Sequence, residues 1–529
     1  MNKLKTFSIE NRNVRYFLYF ILLLPIYFFR DFTPDNELRY LSIVDEALRN
    51  NTWVTFYNHG EVYADKPPLY FWLMMMLRKL FGAHYMATLG LISLIPAMLT
   101  VYVMDNWLIK YNVSDHKDEV LGGLMLLTTG FFLGAAFVIR MDMLMCLFIV
   151  LSLYTFYKMY AGDKSRKNKL LFVLYIFLGV FTKGPIGILM PMLSIIAFLV
   201  YQKEFKTLRT YFSVASVSVL ILLFASWFAA IYLEGGSSYL NNILVKQTVG
   251  RGINSFHHDQ PFYYYLKTSL FTFAPWSILY LVSIVLALFE KRKFTSLEIF
   301  FLSIITASFV MFSLISSKLD IYLVPIYPFV AYFAAIQLKY LYNNKLVMLS
   351  IGIPAALFML ALPLSFFAKP LLTFEYDSLT FVYIALGVLF LGGLQAIYWL
   401  KVNKSRAIRS ISVSLLIFVF VASFGVSQFN QYIGFEAMAV EAQSHFRDKA
   451  CRAYAYYQFR GGENMDVFLK TKLQRLDNKA ELDSFLRNAS SAILFIQKRD
   501  AMKDLNYTED NRKQLNFISK GDYYIVVIE

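Results

Sequence analysis

The chain of 529 residues is 58% hydrophobic, 18% aromatic and only 16% charged, against about 25% charged residues in soluble domains, which excludes a water-soluble globular protein. Its net charge of +15 would suit nucleic acid, but the Lys and Arg residues sit in short loops between apolar runs. That is a topology signal, so no nucleic-acid partner is expected. The apolar runs, roughly 18 to 22 residues long, can cross a ~30 Å hydrocarbon core as helices and are too numerous for a signal peptide.

In chain order, Lys3, Lys5, Arg12 and Arg15 precede the first span (14–31), which places the N-terminus in the cytoplasm. The polar stretch 32–68 then lies outside, and 69–81 reads as an amphipathic helix at the interface. Further spans are expected near 84–108, 120–138, 143–161, 169–182, 185–201, 211–232, 275–290, 296–315, 321–341, 346–367, 379–400 and 410–428, about thirteen in all. With that register the concentrated basic loops, such as Lys291-Arg292-Lys293, all fall inside. Residues 1–430 therefore form a mainly α, polytopic transmembrane helical bundle with outer loops 32–83 and 233–274. Residues 431–529 mix acidic and basic side chains, and ILFIQ (493–497) and YYIVVI (523–528) read as short buried strands. Helical patterns near 436–449, 479–488 and 498–506 complete a small soluble α/β domain on the outer side. Cys146 lies in an apolar run and Cys451 near the C-terminus, so no disulfide framework is expected.

Charge at membrane depth is costly and usually functional, and here it converges on the outer face. The stretch Phe32 to Trp72 holds Asp35, Glu37, Asp45, Glu46, Glu61 and Asp65 with Arg39 and Lys66. Outer turns add Arg140 and Asp142, Lys183 before Gly184-Pro185, and Lys318 with Asp320. The loop 246–266 adds Lys246, Arg251, His257, His258 and Asp259. Such a surface suits an anionic, amphipathic substrate drawn from the membrane. Plainer roles exist for each group. Asp35 and Glu37 after Pro34 suit the first turn of a helix, and Lys66 suits a snorkelling interface lysine. Arg140 with Asp142 reads both as a structural ion pair and as an acceptor-binding pair, while Lys183 reads as structural. His257 and His258 could ligate a divalent metal with Asp65, but adjacent histidines point in different directions and no third histidine is near. Hydrogen bonding is their better reading, and no cofactor is indicated.

The motifs PDNELRY, YADKPPLYFW, RMD, TKGP, Arg251 with HHDQPFYYY, APW and SKLDIYLVPIYP, in that order, resemble the bacterial lipid A aminoarabinose transferases. More broadly they resemble the protein O-mannosyltransferase superfamily of membrane glycosyltransferases with the GT-C fold. The resemblance implies a sugar donor linked through phosphate to a polyprenyl (undecaprenyl) lipid, and transfer with inversion at the anomeric carbon. It implies that Lys66, Arg251 and Tyr322, with Lys318 close by, hold the lipid phosphate. A carboxylate of the first outer loop, Asp35 first and Glu37 second, would orient the acceptor or take its proton. The sequence departs from the family at Asn36, which stands where the family's acid is expected, at Asp65 for a glutamate, and at Asp320 for a proline.

The expected protein is thus a multi-pass enzyme of the bacterial inner membrane. It would transfer a sugar from polyprenyl phosphate to lipid A or a related surface glycolipid on the outer face, among membrane lipids. The same chemistry on a protein or other surface-glycan hydroxyl is the alternative. A lipid-linked sugar flippase or transporter is the rival of another class. Transporters place key charges near the bilayer midplane, often within repeats; here the charges cluster in outer loops and no repeat is visible.

Overall fold

The computed structural model describes residues 12–111, 117–245, 260–368, 378–445, 451, 453–489, 491–505 and 516–528. Long apolar sequences without polar periodicity can satisfy their backbone groups in lipid only as helices, and helices dominate. Among the described residues nine are long and apolar enough to cross a membrane, or ten if the pair Val120–Leu127 and Gly130–Phe137, bent by 66°, counts as one span. The expected count of about thirteen is not reached by this measure, although a helix lies at each expected position. Ile186–Tyr201 and Ser277–Phe289 are shorter, and Arg166–Lys183 carries charge at both ends.

At the centre stands Tyr327–Leu338, buried along its whole length, as expected of a helix apolar on every side. Aromatic rings pack around it, with Trp107 in edge or tilted contact with Phe300, Phe301, Phe329, Tyr154 and Tyr157. Helices Arg166–Lys183 and Ile186–Tyr201 meet backbone to backbone, since a Cβ on Gly187 would lie 2.2 Å from the Gly179 carbonyl carbon. One end of the bundle is held by Asp105, which pairs with Arg15 at 3.3 Å and accepts from Tyr16 and from Tyr332 at 2.5 Å. A single buried carboxylate thereby ties three helices.

The opposite end is a polar rim built by the Phe32–Trp72 stretch. Pro34–Leu38 forms one π turn, with the Leu38 N–H reaching the Thr33 carbonyl at 3.1 Å, and Arg39–Asn50 continues as an α-helix. A hairpin follows, β1 (Tyr57–Asn58) on β2 (Glu61–Val62), then the expected helix Leu69–Phe81. The expected outer loop 233–274 is instead partly helical. Val214–Asn241 runs on past 232 with a kink at Gly236 (φ 72°), and Tyr264–Thr272 is a helix. Glu234 explains the extension: its carboxylate accepts the N–H groups of Trp53, Val54 and Thr55 at 2.7–3.1 Å, anchoring the helix to the rim.

The C-terminal region is α/β. The two expected strands are present as β5 (Ala492–Gln497) and β7 (Tyr523–Ile528). Three more were not expected: β3 (Ala453–Tyr457), β4 (Gln474–Leu476) and β6 (Asn516–Lys520). The order is β4-β3-β5-β7-β6, parallel across β4-β3-β5 and antiparallel across β5-β7-β6. Because strand side chains alternate faces, Tyr456, Ile493, Phe495 and Ile525 join the main core, while Tyr457, Leu494, Ile496 and Val526 build a second one against Leu482 and Phe485. The sheet is packed onto the rim by its own alternation. Both cysteines are free.

Asp31 sits at this junction, 2% exposed. Its carboxylate accepts from the Phe32 N–H at 2.5 Å and the Glu436 N–H at 2.9 Å, while its own N–H reaches Asn430. Burial raises its pKa from 3.8 to about 7; those N–H groups oppose the rise, the Glu436 charge adds to it and Arg30 opposes it. A raised carboxyl pKa means the folded state keeps a proton that the unfolded state has released. The contribution is full below the ordinary carboxyl value and is lost as pH rises through about 7. Hydrogen exchange should therefore show weaker protection of the 430–436 backbone as pH rises across that window, after correction for intrinsic exchange. Asp31→Asn should flatten the dependence.

Candidate functional site

Asp35 and Glu37, two residues apart on the π turn, have opposite surroundings. Glu37 is fully buried. Arg30 grips it with two bonds of 2.7 Å, and it also accepts from the Thr33 N–H at 2.7 Å, the Thr33 hydroxyl at 3.0 Å and the Ile139 N–H at 2.7 Å. Arg30 donates in addition to the carbonyls of Asp31 and Phe137, each at 3.0 Å. Five accepted hydrogen bonds occupy the lone pairs of Glu37 and make it a joint between the first span, the π turn and the turn before Asp142. Asp35 points the other way, with 39% of its side chain exposed, and pairs with Arg460 of the C-terminal region at 3.3 Å.

A second charged knot lies beside the first. Asp142, fully buried, accepts from Arg140 Nε at 3.1 Å and from the Lys183 ammonium. Lys183 also stands 4.8 Å over the Tyr322 ring, a cation–π contact strengthened by desolvation. The ion-pair reading of Arg140 with Asp142 and the structural reading of Lys183 both describe this arrangement. Tyr40, buried just after Arg39, has its phenol pKa raised by burial; the charges of Arg140, Asp142, Arg39 and Asp65 act on it as well.

Between the rim and the C-terminal sheet opens a cavity of about 790 Å³. Asp35, Asn36, Glu37 and Arg140 line it on one side, and Gly130, Phe131, Gly134, Ala135 and Ile321 supply apolar wall. Arg460, Gln497 and Tyr523 come from the C-terminal region. An apolar trough with a few convergent polar groups is the usual form of a small-molecule site. Lys66 and Asp65 are half-buried on the segment joining the hairpin to Pro67-Pro68. Lys318 is 3% exposed and donates to the Gln260 carbonyl at 2.8 Å, so part of its donor capacity holds the backbone. Arg251, His257 and His258 lie outside the described residues.

Arg30 and Arg460 were not among the expected site residues. Arg30 carried a signal, an arginine at the very end of an apolar span, where a charge is readily taken for a snorkelling flank. Arg460 carried none, because it lies more than 400 positions from Asp35 in the chain and only the docking of the sheet brings them together.

Four likenesses to known proteins bear on this geometry. Residues 65–229 match a family described as dolichyl-phosphate-mannose-protein mannosyltransferase. An uncharacterized protein of Aquifex aeolicus is 29% identical over 307 residues, covering 57% of this chain and 58% of that one. The undecaprenyl phosphate-alpha-4-amino-4-deoxy-L-arabinose arabinosyl transferase of Erwinia tasmaniensis is 26% identical over 362 residues, covering 65% and 64%. The aligned region thus spans less than two thirds of these curated relatives. Over the whole length the fold resembles crystal structures of ArnT from Cupriavidus metallidurans. The form bound to undecaprenyl phosphate gives a TM-score of 0.77 at 18% identity, covering 98% of each chain, and the apo form gives 0.74.

The fold is therefore the GT-C fold of the ArnT structures, in a chain whose described residues include nine or ten helices able to cross a membrane. In sequence the chain resembles the aminoarabinose transferases over part of its length.

Removing one partner of a buried ion pair costs about 3–5 kcal/mol. Arg30→Ala should lower stability by that order, seen as a fall in the thermal midpoint of the detergent-solubilised protein. Asp35→Asn should leave the midpoint almost unchanged, because Asp35 is open to the cavity.

Proposed function

We propose that the chain is an inverting glycosyltransferase that moves a sugar from a polyprenyl (undecaprenyl) phosphate donor to lipid A or a related surface glycolipid. The reaction takes place at the outer face of the inner membrane, with the N-terminus cytoplasmic and the C-terminal domain periplasmic. The observation that carries this reading is the cavity, which sets Asp35 and the Asp142-paired Arg140 beside an apolar wall in a chain with the full-length architecture of ArnT. The named activity of the Erwinia relative, and the lipid phosphate in the Cupriavidus structure, support the donor class.

In this mechanism an acceptor oxygen attacks the anomeric carbon as the bond from that carbon to the phosphate oxygen breaks. The negative charge collects on the departing lipid phosphate. Cations aimed at that phosphate in a site shielded from water stabilise it as it develops. Lys66 and Arg251 take that role, with the Tyr322 hydroxyl as a neutral hydrogen-bond donor beside them. Lys318, through the Gln260 carbonyl, holds the chain just after the stretch that contains Arg251. Asp35 is the carboxylate left to orient the acceptor or accept its proton, since Asn36 has no basic oxygen and Glu37 is saturated. A phosphate monoester acceptor is largely ionised at neutral pH, with a second pKa of about 6, and needs orientation more than a base. The exposure of Asp35 to the cavity favours one second reading, the same chemistry on a protein or surface-glycan hydroxyl.

Mass spectrometry of lipid A from cells with and without the chain tests the assignment. The null strain and a Lys66→Ala strain should both lack one sugar-sized increment. Unchanged lipid A would remove this acceptor and move the search to glycoproteins and other glycans. In a membrane transfer assay, Asp35→Asn should lower kcat by about 10²-fold or more if Asp35 is a working base. A loss well below that would mark it as an orienting group for an acceptor that is already anionic.

A further inference from the structure

One segment of the C-terminal domain, residues 460–464, meets the π turn at Pro34 and Asp35. Gly461 adopts a left-handed conformation (φ +80°), and a Cβ there would stand 3.3 Å from both Asp35 Oδ1 and the Pro34 carbonyl carbon. The Asn464 side chain donates to the Pro34 carbonyl at 3.3 Å. Arg460 places Nε 3.3 Å from Asp35 Oδ1. Behind the segment, Phe459 is buried against Phe435, Tyr456 and Tyr523, so its backbone is set by packing that does not involve the arginine. Arg460 itself is 76% exposed.

We propose that Arg460 is a positioning residue for the transfer reaction, acting from the C-terminal domain through Asp35. This rests on the reading of Asp35 given above. An exposed ion pair contributes little to folding, about 0–1 kcal/mol, so stability does not explain this contact. Orientation does. Asp35 is a short acid at the open side of the cavity, and the guanidinium constrains which carboxylate oxygen faces the space where an acceptor would lie. From the same segment the Asn464 side chain holds the turn at the Pro34 carbonyl, and Gly461 passes close beside it. The C-terminal domain thereby completes the site through Asp35.

The test uses the full-length protein in membranes with an undecaprenyl-phosphate-linked sugar and lipid A. A misplacement of about 1 Å can cost 10²-fold in rate, so Arg460→Ala should lower kcat by about 10- to 100-fold. Both KM values and the thermal midpoint should stay as in the wild type, and Arg460→Lys should restore part of the rate. In an Asp35→Ala background, Arg460→Ala should cause no further loss. A raised acceptor KM together with independent, multiplicative losses would overturn the proposal, because Arg460 would then bind acceptor itself. So would wild-type rates in Arg460→Ala while Asp35→Ala is inactive. Carbodiimide labelling of Asp35, read by peptide mass spectrometry, follows the same contact without any sugar transfer. It should rise in Arg460→Ala and fall back in Arg460→Lys. Unchanged labelling would overturn the proposal even if the wild-type chain transferred no sugar, an outcome that would count separately against the function.

Discussion

A carboxylate taken out of water must find its full set of donors inside the protein, or the cost of its charge unfolds the site. Glu37 meets that demand with five hydrogen bonds drawn from the end of the first span, its own π turn and the Ile139 backbone. Much of the rim follows from this one requirement. The Arg30 that neutralises Glu37 also caps the Phe137 carbonyl, which fixes the approach to Arg140 and Asp142. Asp142 in turn holds Lys183 over Tyr322. The cavity wall is thus one set of satisfied charges that position one another.

The same rule operates at the other end of the bundle and at its edges. Asp105 gathers Arg15, Tyr16 and Tyr332. Glu298 gathers Arg292, Gln337 and the Thr295 N–H, and Glu234 gathers three successive backbone N–H groups of the rim. Each carboxylate ties its helix to a neighbouring helix or to the rim, where apolar packing alone would leave it free to slide. Asp35 differs from all of them. It lies open to the cavity, and the partner it has comes from the C-terminal domain across the opening. That contrast separates a group available for chemistry from groups committed to architecture, and it underlies the functional reading.

The C-terminal domain is less of an appendage than its sequence implies. Its sheet buries one face in the main core, and two of the three unexpected strands show why they leave little local signal. Gln474–Leu476 is three residues of edge strand with two exposed side chains. Ala453–Tyr457 is built of alanine and tyrosine and offers no apolar–polar alternation, because both of its faces are covered. Hydropathy marks about thirteen apolar segments, while among the described residues length and charge leave nine or ten helices able to cross; what the shorter ones do depends on the neighbours that cover their ends.

By itself the sequence determined the membrane-embedded helical class, the position of the apolar helices, the α/β character of the C-terminal region and the convergence of charge on the Phe32–Trp72 rim. These properties follow from composition and periodicity along the chain, and solvent transfer energies act on them residue by residue. Only the tertiary structure decided that Glu37 is locked while Asp35 is open, that Arg30 is a clamp, that Lys318 holds the Gln260 backbone, and that Arg460 stands at the cavity. A π turn sends neighbouring acids in different directions, and whether a carboxylate is saturated depends on donors that arrive from Ile139 or Arg460. No local pattern in the chain records such long-range encounters, because they are set by packing.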